Sequence, residues 1–87
     1  MITWKIVGIE RTQSQDFHFR NGRHKEIYTC WIHIELSNGY KRSGHGTAWS
    51  WGPSFEAEEA AERRARGHLY HAVIPELREQ FGKLRRE

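Results

Sequence analysis

The sequence predicts an α+β domain in which a three-stranded antiparallel meander packs against a C-terminal helix, in the order β-β-β-α. Three observations carry this reading. An apolar, β-branched run opens the chain, a second run alternates apolar and polar residues with period two, and from Ser54 the apolar spacing becomes i, i+4. Period two marks a pleated strand with one buried face, whereas spacing of four marks a helix with one buried stripe.

The first run, Ile2 to Arg11, sets Trp4, Ile6, Val7 and Ile9 around Gly8, a composition that favours a strand. The polar stretch Thr12 to Asp16 reads as a connection. In the second run, Ile27 to Leu36, Tyr28, Cys30, Ile32, Ile34 and Leu36 share one face, and Thr29, Trp31, His33 and Glu35 share the other. Asn21-Gly22 and Asn38-Gly39 punctuate the runs, and Asn-Gly supplies the positive φ angles of a tight hairpin turn. A two-residue loop at Asn38-Gly39 sets Glu35 opposite Arg42, His33 opposite Gly44 and Trp31 opposite Gly46. In that register opposite charges pair, and a bulky ring lies over a residue with no side chain.

Ser54 is suited to cap a helix, and Glu56, Glu58 and Glu59 complement the positive end of the helix dipole. Ala57, Ala61, Ala65, Leu69 and Val73 form a stripe of small residues on which a sheet can approach closely. Pro75 interrupts the pattern, yet Ile74, Leu77, Phe81 and Leu84 extend a stripe beyond it, so the segment is either a kinked continuation or a second short helix. The charged end, Lys83, Arg85, Arg86 and Glu87, is expected to fray.

At 87 residues the chain fits one domain, spanning 1–87, which buries only about 60% of its unfolded surface. Four Trp, four Phe and three Tyr can build a core from few positions. A net charge of +3 suits an anionic partner without requiring one. Cys30 is the only cysteine, so no intrachain disulfide can form, and a cytoplasmic location is expected, with Cys30 acting as a small buried hydrophobe. No apolar run approaches the length of a membrane span and the first residues lack a signal-peptide core, so no membrane partner is expected.

Gly22, His24 and Tyr28 leading into the second strand, then Gly44-His45-Gly46 and an alanine-rich helix at Ala57, Ala60 and Ala61, resemble the C-terminal two thirds of a double-stranded-RNA-binding domain over Ile2 to Leu69. That resemblance implies duplex contacts from the loop Arg20 to Lys25 and from the start of the helix. At the helix start Glu56, Glu58 and Glu59 stand where the family carries lysines, and carboxylates repel phosphate. The bare plan of a three-stranded sheet and one helix also looks like several small phage-encoded anti-CRISPR proteins. That likeness implies a non-catalytic inhibitor in the host cytoplasm, covering a working surface of a protein complex that handles nucleic acid.

Two sets of candidate site residues follow. For a protein partner they are Trp31, His33, Tyr40, Arg42, Trp49 and Trp51, because Trp, Tyr and Arg bury much area at low entropic cost. On the two-residue register the outer face of the hairpin shows Trp31, His33, Glu35 and Arg42 beside Gly44, Gly46 and Ala48, with Trp49 and Trp51 in the connection to the helix. For direct binding of duplex RNA or DNA, the alternative, they are Arg20, Arg23, His24, Lys25, Lys41 and Arg42 on phosphates. His68 and His71 share a helical face and His45 could join them, but a metal site needs three or four ligands and none is expected. No phosphate loop, nucleophile elbow or spaced Cys-His pair is present, so neither catalysis nor a cofactor is expected.

Overall fold

A computed structural model describes residues 1–18 and 22–87, with the backbone alone at His18 and Arg23. The chain runs through β1 (Ile2–His18), β2 (Arg23–Leu36), β3 (Lys41–Trp51), α1 (Phe55–His68), a π-helical turn (Leu69–Val73), α2 (Ile74–Phe81) and β4 (Leu84–Arg86). The α+β class holds, but the sheet has four strands in the order β3-β2-β1-β4. β1, β2 and β3 form the antiparallel meander, and β4 adds to β1 in parallel, pairing Ile2 with Leu84 and Trp4 with Arg86. The end of the chain is therefore tied down rather than frayed. Leu84 enters the core, and the Glu87 N–H donates to the Trp4 carbonyl at 2.8 Å.

The strands are longer than composition suggests. Thr12 to Asp16 is no loop: paired with Glu26 through Thr29 and Lys25, it continues β1 into a long hairpin. Cross-strand hydrogen bonding holds a polar stretch extended where intrinsic preference would not. The second strand likewise begins at Arg23, and Trp49 and Trp51 belong to β3, not to the connection.

The β2–β3 register differs by one residue from the two-residue-loop expectation. Leu36 N–H donates to the Tyr40 carbonyl and Gly39 N–H to the Leu36 carbonyl, each at 2.8 Å, so the loop holds three residues, Ser37, Asn38 and Gly39. Gly39 takes a φ of 88°, the left-handed residue such a loop needs. Glu35 consequently faces Lys41, His33 faces Ser43, and Trp31 faces His45 rather than Gly46. A slip of one residue turns every side chain of β3 to the opposite face. Gly44, Gly46 and Ala48 therefore lie under the helix, together with Tyr28, Cys30, Ile32, Ile34 and Leu36.

The glycines make room for α1, not for Trp31. A β-carbon on Gly46 would stand 2.3 Å from the Ala65 nitrogen, and one on Gly44 would stand 2.8 Å from the Leu69 β-carbon. The helix presents Ala57, Ala61, Ala65 and Leu69 to this strip, and small residues on both sides let the backbones approach closely. Ser54 caps α1, its hydroxyl accepting the Ala57 N–H at 3.2 Å.

Across Pro75 the helix is continuous. The ring of a proline collides with the carbonyl four residues back, and it has no N–H to donate. The turn Leu69–Val73 widens to π geometry just before it, with Ile74 N–H donating to the Leu69 carbonyl five residues back. The extra residue rotates the buried stripe onto Val73, Ile74 and Leu77, which close the core over Trp4 and Leu84.

Candidate functional site

One face of the sheet is packed under α1 and α2. Among the described residues no helix lies on the other, which carries the odd-numbered residues of β2 and β3 and the even-numbered residues of β1 beyond Gly8. Its cross-strand rows read Lys5–Glu35–Lys41, Gly8–His33–Ser43, Glu10–Trp31–His45, Thr12–Thr29–Thr47, Ser14–Ile27–Trp49 and Asp16–Lys25–Trp51. The period-two pattern of β2 put Trp31 and His33 here, and the three-residue loop adds Trp49 and Trp51.

Two aromatic groups stand on this face. Trp49 and Trp51 are 50% and 45% exposed and meet edge to face, with ring centres 5.3 Å apart. The Lys25 ammonium lies 4.2 Å from the Trp49 ring centre and 5.9 Å from that of Trp51, within cation–π range. The second group is Trp31 against His45, with ring centres 4.9 Å apart. The row Thr12–Thr29–Thr47 separates the groups, which lie four residues and so about 13 Å apart along a strand. Thr29 and Thr47 join hydroxyls at 3.3 Å across it. His33 is held by Ser43, with Nδ1 and Oγ 2.6 Å apart, and its Nε2 lies 3.5 Å from Glu10.

Among the described side chains the charges of this face balance. Lys5, Lys25 and Lys41 are interleaved with Glu10, Asp16 and Glu35. Lys41 opens β3 and Lys25 of β2 pairs with Trp51 at its other end, so the two lie about 30 Å apart at the rise of an extended strand. A surface of this kind offers apolar area and hydroxyls without a positive groove to track a phosphate backbone.

Of the residues proposed for a protein partner, Trp31, His33, Trp49 and Trp51 are brought together here, and Tyr40 and Arg42 are not. Arg42 points to the helix side, the opposite of its expected placement. It forms a bidentate pair with Glu76 of α2 at 3.2 and 3.0 Å, which holds the Glu76 carboxyl below its ordinary range. The one-residue slip of β3 is the cause. Tyr40 packs edge to face on Phe81, with ring centres 5.2 Å apart.

Of the six residues proposed for duplex contact, the four whose side chains are described are dispersed. Phe19, Arg20 and Asn21 lie outside the described residues, as does the Arg23 side chain. His24 points to the helix side, where its Nε2 lies 3.1 Å from Glu26. Lys25 is over Trp49, Lys41 is beside Glu35, and Arg42 is committed to Glu76.

Glu26 was not anticipated. Only 1% exposed, it accepts hydrogen bonds from Gln13 Nε2 at 2.8 Å and Gln15 Nε2 at 2.7 Å. The Gln13 hydrogen bond, chiefly, holds its carboxyl below the ordinary value; burial opposes this, and Gln15 and His24 add to it. The signal was available: Glu26 stands on the same period-two face as Tyr28 and Cys30, opposite two glutamines in a stretch read as loop.

Among the described residues no group of three or more His, Cys, Asp or Glu is placed to hold a metal ion. His68 and His45 do meet, with ring centres 4.6 Å apart, but His68 Nδ1 accepts the His45 backbone N–H at 3.0 Å. No helix among the described residues is long and apolar enough to cross a membrane. Comparison with protein-family models, with curated proteins and with solved structures gives no match.

Proposed function

We propose that this chain is a non-catalytic binding protein and that the uncovered sheet face is its docking surface for a protein partner. The observation that carries the reading is the placement of Trp31, Trp49 and Trp51, all partly exposed, on one face whose described charges balance. Large rigid rings are costly to leave in water and are the side chains that dominate protein interfaces. Balanced charge favours a protein over a polyanion, whose binding rests on an excess of lysine and arginine. Glu56 and Glu58 in the first turn of α1 argue the same way.

The partner class is the one suggested by the likeness to small phage inhibitors, a host protein complex that handles nucleic acid. Docking covers a working surface of that complex by occupancy alone and asks nothing of the chain chemically.

The test is capture from host lysate on the immobilised full chain, compared with Trp31→Ala and with the double variant Trp49→Ala, Trp51→Ala. Proteins retained by the wild type and released by both variants support the face as the docking surface. Retention of every captured protein by both variants removes it. Filter binding of duplex RNA and DNA at two salt concentrations runs beside it. Micromolar retention that falls steeply with salt replaces the proposal with direct duplex binding.

A further inference from the structure

The sheet has two long edges, and they are finished differently. On β3 the helix closes the edge: His68 Nδ1 accepts the outward His45 N–H at 3.0 Å, and Arg64 donates to the outward Thr47 carbonyl at 2.6 Å. On β1 only Ile2, Thr3 and Trp4 are covered, by β4. A bulge at Val7 follows, and beyond it β1 runs to His18 with no strand on that side among the described residues. Charges, prolines and bulges are the usual devices that keep a strand edge from pairing. Here Lys5 and the bulge guard the first part of the edge, and Ile9 to Phe17 contains no proline and no lysine, its charges being Glu10, Arg11 and Asp16.

The backbone on that edge is directed outward. Side-chain face and N–H direction are coupled along a strand, so residues on one face aim their amides at one edge. Trp4, on the helix side, turns its carbonyl to the β4 edge, where it accepts from Glu87. Ile9, Arg11, Gln13, Gln15 and Phe17 share the Trp4 face beyond the bulge and so present their N–H and C=O groups to the open edge.

We propose that this edge pairs with itself: two copies of the chain associate through antiparallel β1–β1 pairing about a two-fold axis at Gln13, joining the two sheets into one. The edge is self-complementary about that residue. Ile9 and Phe17 are 41% and 61% exposed, lie on the same side-chain row and are equidistant from Gln13. The two-fold sets each Ile9 against the second copy's Phe17, Arg11 against Gln15 and Thr12 against Ser14. Glu10 meets Asp16, but each has its own cationic or imidazole neighbour, Glu10 in His33 and Asp16 in Lys25. About ten backbone hydrogen bonds close along the nine-residue overlap, since each facing pair of outward residues exchanges two. The surface is separate from the tryptophan face, so this proposal and the docking proposal fail independently.

Sedimentation equilibrium of the full chain, from micromolar to submillimolar concentration, tests it. The expected result is a mass that rises from one chain to two. Ile9→Lys and Phe17→Glu, both at exposed positions, each weaken dimerisation about tenfold or more. Combined in one chain they restore it, because each new ammonium then faces a new carboxylate across the axis. A wild-type mass of one chain at every concentration overturns the proposal. So does single-variant dimerisation equal to wild type, or a double variant, folded by circular dichroism, no better than the worse single.

Discussion

Gly46 lies against Ala65 so closely that a β-carbon on Gly46 would stand 2.3 Å from the Ala65 nitrogen and 2.5 Å from the Ala61 carbonyl oxygen. Both atoms are helix backbone, which cannot swing aside as a side chain can. Gly46→Ala should destabilise the fold by about 1–3 kcal/mol or more, the cost of overpacking a filled core. Gly67, with nothing within 4 Å of its missing β-carbon, is the control: in mid-helix, Gly67→Ala should stabilise by about 0.5–1 kcal/mol. Urea unfolding of the two variants should move in opposite directions from wild type.

The proline is expected to be almost free of strain. A proline forced into a regular helix interior costs about 3 kcal/mol, which replacement by alanine would return. Here the π turn Leu69–Val73 has already removed the collision and the missing bond. Pro75→Ala should therefore change stability by less than about 1 kcal/mol in thermal unfolding. Deletion of His71, which returns the turn to α spacing with Ile74 and Leu77 still on the buried stripe, should destabilise by about 3 kcal/mol, because it restores the collision at Pro75.

Acid should weaken the far end of the hairpin through Glu26. Its folded-state carboxyl titrates below the ordinary value of 4.5, so its contribution is complete above that value and is lost as pH falls through the lower folded-state pKa. Glu76, lowered by Arg42, acts in the same direction. Glu26→Gln should be less stable than wild type at neutral pH, and the gap should narrow below about pH 4.5. Urea midpoints of both proteins across the acid range decide this; a gap constant with pH would count against the buried carboxylate.

The four tryptophans should divide sharply in a substitution series. Trp4 is 3% exposed, and Trp4→Ala should cost about 3–5 kcal/mol as a core deletion. Trp49→Ala loses a ring contact and the Lys25 ammonium over its face, worth about 1 kcal/mol together. Acrylamide should quench Trp49 and Trp51 efficiently and leave Trp4 protected in single-tryptophan variants.

Much of the fold was legible in the sequence because it rests on short-range chemistry. The stripe Ala57, Ala61, Ala65, Leu69 and Val73 is buried as its spacing required, Ser54 caps the helix, and the even-numbered residues of β2 fill the core. The errors share one origin, in features that tertiary pairing decides. Ser37 belongs to the loop rather than to the strand, a single residue that local preference does not fix, and it turned Arg42 away from Trp31 and the glycines toward the helix. Thr12 to Asp16 is a strand because β2 lies beside it, and Leu84 to Arg86 is a strand because β1 does. For the candidate site, the alternation of β2 was enough to group Trp31 with His33. That Trp49 and Trp51 join them depended on the β3 register, which only the loop geometry sets.

The parallel pairing of Ile2 with Leu84 brings position 2 beside position 84, a loop closure over nearly the whole sequence. Contacts of such separation form only after the intervening chain is ordered, and they slow the search for the native topology. The meander and its helix can assemble from nearer neighbours, leaving β4 to latch afterwards. Mutations there, Leu84→Ala above all, should then hasten unfolding while leaving the refolding rate nearly unchanged.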